Sequence, residues 1–286
     1  MNAVRSLFWS SRPISWVNTA IPFAAAYFFS GGGVGVELFV LTLFFLIPYN
    51  LLMYGINDVF DYESDMRNPR KGGIEGALLA PELHRLTLLW AFGLSLPFVA
   101  YALWVSSDNP PALAVLAATL FAVVAYSIKG LRFKEIPFLD SITSSAHFVG
   151  PMLFGLLLAG EALGASLLLA TGAFFLWGAA SHAFGAVQDI RADREANIAS
   201  VATSLGARNT VRIAVSLYLI AGLMLLALPD RFWQASFAAI PYLLVVGSQL
   251  GITDDTCEQA NRGWKRFLLL NFLAGAWIMA LLIGPS

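Results

Sequence analysis

The sequence predicts an all-α integral membrane protein with nine transmembrane helices. Of its 286 residues, 58% are hydrophobic and only 12% are charged, whereas an ordinary soluble domain has about 25% charged residues. The mean hydropathy is +0.71. Nine continuous apolar runs each approach the roughly 20 residues that a helix needs to cross a bilayer. The runs lie at 14–30, 37–56, 86–105, 111–128, 136–159, 163–187, 210–228, 232–250 and 266–284.

Their continuity argues for helices and against membrane strands. Strands of a membrane barrel alternate between apolar and polar residues, and these runs do not. The single cysteine, Cys257, cannot form an internal disulfide. With a formal net charge of −1, the chain does not have the excess of basic residues that binding to nucleic acid requires. We therefore predict that it contacts membrane lipids and binds no nucleic acid.

The loops between the runs predict the orientation in the membrane. If the N-terminus is cytoplasmic, every second loop faces outward, and only Arg231 of the 17 Lys and Arg residues lies in such a loop. An excess of Lys and Arg on the cytoplasmic side is typical of membrane proteins. We therefore predict a multi-pass protein of the cell membrane with its N-terminus inside and its C-terminus outside.

Two acidic clusters follow apolar runs on this cytoplasmic side. In "YGINDVFDYESD", the residues Asn57, Asp61 and Asp65 are spaced at i, i+4 and i+8, and Asp189 and Asp193 repeat the spacing in "QDIRAD". If the helices continue past the membrane, each set shares one helical face. Like charges so placed repel each other, which predicts a cation among them.

Magnesium and a diphosphate suit these clusters. Carboxylate and amide oxygens without paired His or Cys favour Mg²⁺, which usually combines one or two carboxylates with the phosphates of its substrate. Two acidic helix ends facing each other would bind Mg²⁺ ions bridged by a diphosphate. Nearby basic residues can cover the remaining phosphate charge, and they are Arg67, Arg70, Lys71, Lys129, Arg132 and Lys134.

Simpler interpretations exist for each polar feature. Acids and bases at a cytoplasmic helix end often form only a solvated loop. His147 and His182 lie within spans, where ionisable groups are costly and usually functional, but a neutral, hydrogen-bonded histidine would also explain both. Asp140, at the start of the fifth run, is predicted to lie at the membrane interface.

Four short motifs resemble the UbiA-type intramembrane prenyltransferase superfamily. "NDVFDYESD" at 57–65 resembles its first aspartate-rich signature and "DIRAD" at 189–193 its second. "YSIK" at 126–129 is similar to the YxxK element between them, and "SRP" at 11–13 to the N-terminal arginine-proline element. The elements occur in order over most of the chain. "SSRPISWVNTAIPF" and the region around the first signature look most like bacterial lycopene elongases.

The resemblance implies one prenyltransferase domain over residues 1–286, a nine-helix bundle around a central cavity. The cavity would be polar at its cytoplasmic end and open to lipid at its side. Carried over by motif, the predicted metal ligands are Asn57, Asp61, Asp65, Asp189 and Asp193. Residues implied to contact the substrate are Arg12, Asp58, Arg67, Lys71, Tyr126, Lys129 and Arg132. Of all these, Asp61, Asp189, Tyr126 and Lys129 are the predicted catalytic residues.

The implied reaction is the addition of a five-carbon prenyl unit from dimethylallyl diphosphate to the ends of lycopene, with Mg²⁺ as cofactor. Loss of diphosphate would leave an allylic cation, which a terminal double bond of lycopene attacks. The resulting tertiary cation must lose a proton or capture water, and the sequence leaves this choice open.

Other functions remain as alternatives at this point. A prenyltransferase with a quinone, chlorophyll or archaeal-lipid acceptor would use the same metal site. A secondary transporter should carry its charged residues near the middle of the bilayer, whereas these lie at the ends of runs. A structural or assembly factor would need no matched carboxylates.

Overall fold

The computed structural model describes residues 3–66 and 78–284, and in this part of the chain all regular structure is helical. The α-helices are α1 Ala3–Ser10, α2 Val17–Tyr27, α3 Val36–Leu46, α4 Pro48–Phe60, α5 Tyr62–Asp65, α6 Pro81–Val105, α7 Pro110–Ser127, α8 Leu139–Leu158, α9 Ala165–Val187, α10 Ile190–Glu195, α11 Val201–Leu205, α12 Ala207–Leu226, α13 Ala239–Gly247 and α14 Ala260–Ile283. The all-α prediction is confirmed.

Seven helical segments in the described residues are long and apolar enough to cross a membrane, counting α3 and α4 together and extending the last back to Asp254. The predicted runs 14–30 and 232–250 fold as shorter pieces. The first is α2 followed by a π-helical turn at Phe28–Gly32, and the second is a 3₁₀-helix at Asp230–Ala238 followed by α13. The count of nine spans and the central cavity therefore stay predictions.

The chain divides into two compact units, which are described separately. The first contains the described residues up to Phe133 together with Gly150–Ala162, and the second contains Lys134–Val149 and the described residues from Leu163 onward. The first acidic motif lies in the first unit and the second motif in the second unit.

An aromatic core holds the first unit together. Phe23, Phe45 and Phe154 lie within ring-contact distance of one another, and Phe44 and Tyr49 extend the cluster. All five side chains are buried. Aromatic rings bury large apolar areas and prefer such stacked and edge-to-face contacts, so this core fixes α2, α3 and α4 against α8.

A buried polar group supports the break between α3 and α4. Proline at the start of α4 cannot donate a backbone hydrogen bond, and Ile47 separates the two helices. Asn50 Nδ2 donates to the carbonyls of Phe45 and Leu46 at 2.8 and 3.1 Å, and Thr19 Oγ1 donates to Phe45 at 2.7 Å. Side chains thus satisfy the carbonyls beside the break, as apolar surroundings require.

The second unit is built on the packing of α9 against α12. Their contact uses small residues, which allow membrane helices to approach closely, including Ala180 and Ala183 on α9 and Ala207 and Ala214 on α12. Tyr218 of α12 stacks on Tyr242 of α13 with ring centroids 5.3 Å apart. This core positions the end of α9, where the second acidic motif begins.

Candidate functional site

Helical hydrogen bonding continues from α4 through the first acidic motif. The amide of Asp61 donates to the carbonyl of Asn57 at 2.9 Å, and the amide of Asp65 donates to Asp61 at 2.8 Å. The i to i+4 geometry therefore continues across Asp61, although α4 ends at Phe60. Asn57, Asp61 and Asp65 lie on one face, as their spacing predicts.

Arg12 forms an ion pair with Asp58. Its Nη2 lies 3.0 Å from Asp58 Oδ1, and the Asp58 side chain is fully buried while that of Arg12 is 18% exposed. The guanidinium also lies over the ring of Tyr54, 4.4 Å from the centroid, a favourable cation–π contact. The structure thus places Asp58 against Arg12, away from the face shared by Asn57 and Asp61.

The charge state of Arg12 follows from this environment. Burial alone would lower the pKa of Arg12, but its interactions with Asp58, Tyr54 and Asp65 together outweigh burial, and the pKa is raised overall. Arg12 also adopts left-handed backbone angles, with φ 48° and ψ 72°. A non-glycine residue in this conformation is strained by about 1–2 kcal/mol, and such strain is often found at functional sites.

Breaking this pair should destabilise the protein. We expect Asp58→Asn to lower the free energy of unfolding by about 3 kcal/mol, because it leaves the mostly buried Arg12 cation without its counter-ion. Thermal unfolding in detergent would measure the loss. The control is Arg191→Gln, whose pairs with Asp255 and Glu258 are exposed and 3.9 Å long; this variant should lose less than about 1 kcal/mol. Equal effects of the two substitutions would contradict the prediction.

The end of α7 meets the first motif. Ser127 Oγ donates to Asn57 Oδ1 at 3.2 Å, and Arg132 Nη2 lies 3.8 Å from Asp61 Oδ1. Between these contacts the chain makes a tight turn in which the amides of Leu131 and Arg132 both donate to the carbonyl of Ile128. Gly130 and Arg132 have positive φ values of 96° and 42°. Tyr126 is half-buried and Lys129 is exposed at this turn.

The second acidic motif has the same local geometry as the first. The amide of Asp193 donates to the carbonyl of Asp189 at 2.8 Å, so both carboxylates lie on one helical face and both are half-buried. The motif ends after α10, where Asn197 takes a left-handed φ of 57° and the amide of Ile198 donates back to Asp193. Asparagine commonly ends helices in this way.

Polar contacts hold the second motif in place. Gln188, the residue before Asp189, donates to Gly185 O at 2.9 Å and accepts from Asn261 Nδ2 at 2.8 Å. Arg194 pairs with Asp254 at 2.8 Å, and the other oxygen of Asp254 accepts from the amide of Ala207 at 2.6 Å. The start of α12 and the start of α14 are thereby tied to the motif.

Asp140 is buried inside the protein, and its carboxylate caps α11 by accepting from the amide of Val201 at 2.7 Å. Its position at the membrane interface stays a prediction. The next residue, Ser141, places its Oγ 3.0 Å from His182 Nδ1. His182 is thus a hydrogen-bonded histidine, as one of the two interpretations of this residue predicted.

The chemistry of the acidic motifs fits Mg²⁺. Their side chains offer carboxylate and amide oxygens on one helical face, the donors that Mg²⁺ prefers. Within the described ranges, no three His, Cys, Asp or Glu side chains form a ready metal-binding group.

Some site residues lie outside the described part, and others escaped the sequence analysis. Arg67 and Lys71, predicted to contact the substrate, fall in 67–77, outside the described residues. Ser127 was not predicted as a partner of Asn57, although it belongs to the YSIK motif. Asn261 and Asp254, which support the second motif, lie in "TDDTCEQANR", a segment to which the sequence analysis assigned no role.

Comparison with known proteins adds independent information. The model of the UbiA prenyltransferase family matches residues 19–274. The "Lycopene elongase/hydratase" of Corynebacterium glutamicum is 50% identical over 289 aligned residues, covering 99% of this chain and 98% of the relative. The "C(50) beta-cyclic carotenoids biosynthesis protein LbtBC" of Dietzia sp. is 55% identical over 94% of this chain, which spans 62% of that relative's length.

The fold also resembles a solved structure. A UbiA homolog from Archaeoglobus fulgidus, bound to GPP and Mg²⁺, superimposes with a TM-score of 0.67 at 18% identity. The superposition covers 95% of this chain and 99% of that homolog. At this low identity the likeness shows the fold alone.

Proposed function

The chain belongs to the UbiA prenyltransferase family, and we propose that it is a lycopene elongase, which adds a five-carbon unit from dimethylallyl diphosphate to the ends of lycopene. The observation that carries this proposal is the 50% identity to the Corynebacterium elongase/hydratase over nearly the full length of both chains. Quinone, chlorophyll or archaeal-lipid acceptors would fit the same diphosphate site, but the digeranylgeranylglyceryl phosphate synthase of Archaeoglobus fulgidus is only 24% identical over 86% of this chain.

The donor would bind at the two acidic motifs. Asn57, Asp61 and Asp65, with Asp189 and Asp193, would hold Mg²⁺, and the i to i+4 helical hydrogen bonds within each motif support this assignment. Bound Mg²⁺ would neutralise the diphosphate and stabilise the negative charge that it gains on leaving.

The basic residues of the first unit would receive the phosphate oxygens. Arg132 Nη2 lies 3.8 Å from Asp61 Oδ1, and its guanidinium would also pair with the phosphate oxygens. Lys129 is exposed at the same turn, and we assign it, with Tyr126, to the leaving oxygen. The other residues that would contact the diphosphate are Arg12, Arg67 and Lys71, and Asp58 would hold Arg12 in position.

Carbon–carbon bond formation would follow ionisation of the donor. The allylic C–O bond breaks and its electron pair leaves with the diphosphate. The terminal double bond of lycopene then supplies the electron pair of the new bond, which leaves a tertiary cation on the acceptor. We propose that water captures this cation, as the elongase/hydratase name of the Corynebacterium relative suggests.

We also propose one domain that crosses the membrane nine times with its active site on the cytoplasmic side. The family model covers 19–274 and therefore residues of both units, which supports the single domain. The two shorter helical segments would count as the first and eighth crossings.

The topology has a direct test. Reporter fusions after Gly32, Asn109 and Ser286 should all report the outer side, because all but one of the 17 Lys and Arg residues lie in loops assigned to the inside. A fusion after Lys134 should report the inner side and serves as the control. An inward signal from any of the first three fusions would mean that one of the predicted crossings does not exist.

Expression in a lycopene-producing host would test the function. Mass analysis of the pigments should find lycopene extended by one or two five-carbon units. Pigments unchanged in mass, with the protein present in the membrane, would refute the assignment of lycopene as acceptor.

A further inference from the structure

Two side chains that lie one turn apart on α4 hold the guanidinium of Arg12. Tyr54 and Asp58 are four residues apart, so both lie on the same side of that helix. Asp58 Oδ1 is 3.0 Å from Arg12 Nη2, and the guanidinium carbon of Arg12 is 4.4 Å from the centroid of the Tyr54 ring. The carboxylate binds one nitrogen of the guanidinium while the ring lies against the group. α4 thereby contacts a single cation at two points.

The backbone around Arg12 forms a hydrogen-bonded turn. Trp16 Nε1 donates to the carbonyl of Ser11 at 2.9 Å, and the amide of Ser15 donates to the carbonyl of Arg12 at 2.8 Å. The Ser15 side chain also interacts with the Tyr54 hydroxyl, which ties the ring to this turn. Because the backbone is fixed, the orientation of the guanidinium depends on the side-chain torsions of Arg12 and on the contacts with α4 that restrict them.

Arg12 is the accessible member of its ion pair and lies near the first acidic motif. Its side chain is 18% exposed, whereas that of Asp58 is fully buried. The charge of Asp65, one of the predicted metal ligands, also acts on the guanidinium. A guanidinium has five N–H donors, and the bond to Asp58 uses Nη2. Arg12 can therefore bind Asp58 and a phosphate oxygen at the same time.

An aromatic ring is suited to orienting such an arginine. It attracts the guanidinium through its π-electrons and leaves the N–H donors to the carboxylate and to a ligand. Arginine loses much side-chain freedom when it is ordered by a ligand, and restricting that freedom beforehand improves affinity. The sequence analysis assigned no role to Tyr54.

We propose that Tyr54 is a positioning residue for the prenyl donor, whose ring holds the Arg12 guanidinium in the orientation in which it binds the diphosphate. This inference rests on the proposed function, in which Arg12 contacts the diphosphate. Tyr54 acts through Arg12 and touches neither the substrate nor the metal. Its effect therefore falls on the affinity for the donor and requires the arginine to be present.

Direct binding of dimethylallyl diphosphate to detergent-solubilised protein, with Mg²⁺ and without lycopene, would test this role. We expect Tyr54→Leu, which keeps an apolar side chain but removes the ring, to raise the dissociation constant by about tenfold, because the donor must then order Arg12 itself. Tyr54→Phe keeps the ring and should stay within about threefold of the wild type. Tyr101→Leu is the control, since Tyr101 is a half-buried tyrosine of α6 that contacts Trp104, and it should leave the affinity unchanged.

A double-mutant cycle separates positioning from packing. The combined change Arg12→Gln and Asp58→Asn removes the cation without leaving a buried carboxylate unpaired. In that background Tyr54→Leu should cause no further loss of donor affinity, whereas a lost packing contact would weaken binding equally in both backgrounds. Thermal unfolding in detergent would verify that each variant is folded.

Three results would overturn the proposal. They are wild-type affinity in Tyr54→Leu, tenfold weaker binding by Tyr54→Phe, and an equal effect of Tyr54→Leu with and without Arg12. The comparison of Tyr54→Phe with the wild type decides the case even if Tyr54→Leu does not fold. Failure of the wild-type protein to bind dimethylallyl diphosphate with Mg²⁺ would instead refute the donor assigned in the proposed function.

Discussion

Asp61→Ala and Asp189→Ala should each abolish prenyl transfer, reducing turnover by at least about 10³-fold. Each substitution removes a carboxylate from a helical face that is proposed to hold Mg²⁺ against the diphosphate. Without that charge, the developing negative charge of the leaving group loses its largest electrostatic stabilisation. Diphosphate release from dimethylallyl diphosphate, measured in the presence of lycopene, would report the loss.

Stability should respond in the opposite direction from activity. Removing Asp189 relieves its repulsion with Asp193 one turn later, which is worth a few tenths of a kcal/mol. Thermal unfolding in detergent without Mg²⁺ should therefore show Asp189→Ala to be at least as stable as the wild type. Lost activity together with lost stability would point to a structural role.

Neighbouring acids provide matched controls. Glu63 lies between Asp61 and Asp65, and Glu195 follows Asp193, yet both are exposed and neither shares the i, i+4 face. Their Ala variants should keep nearly full activity. Wild-type turnover by Asp61→Ala or Asp189→Ala, or undiminished turnover of the wild type in excess chelator, would refute the Mg²⁺–diphosphate hypothesis.

The sequence predicted features that depend on local patterns. Long apolar runs predicted the helices. The spacing of Asn57, Asp61 and Asp65 predicted one shared face because residues four positions apart lie on the same side of an α-helix. The two runs that do not form long α-helices contain breaks. Run 14–30 includes Pro22 and is followed directly by Gly31, which has a φ of 93°. Run 232–250 begins within a 3₁₀-helix.

Contacts between distant residues were not predictable in this way. Arg12 pairs with Asp58 across 46 positions, and Asp140 caps Val201 across 61. No periodicity links such partners, so the sequence predicted neither the Arg12–Asp58 pair nor the Asp140–Val201 contact. In both cases a buried carboxylate obtains a donor from tertiary structure, as burial of a charge requires.

Lys129→Gln should lower kcat and kcat/KM together by about 10²-fold, a loss of roughly 3 kcal/mol. Lys129 follows the end of α7 at Ser127 and is exposed, beside the turn that brings Arg132 to Asp61. If it contacts the leaving oxygen, its interaction strengthens as that oxygen gains charge. The substitution then affects the transition state more than the ground state.

A role as a positive-inside anchor predicts a different result. An anchoring lysine acts on membrane insertion through its charge and takes no part in the reaction. Lys129→Arg would then keep full activity, and Lys129→Gln would have little kinetic effect. Lys265→Gln, which removes an exposed lysine near the start of α14, is the control and should leave both constants unchanged. Steady-state kinetics with dimethylallyl diphosphate as the varied substrate separate the cases. A change confined to KM would mean that Lys129 only gathers substrate, since uniform binding alters KM without altering kcat.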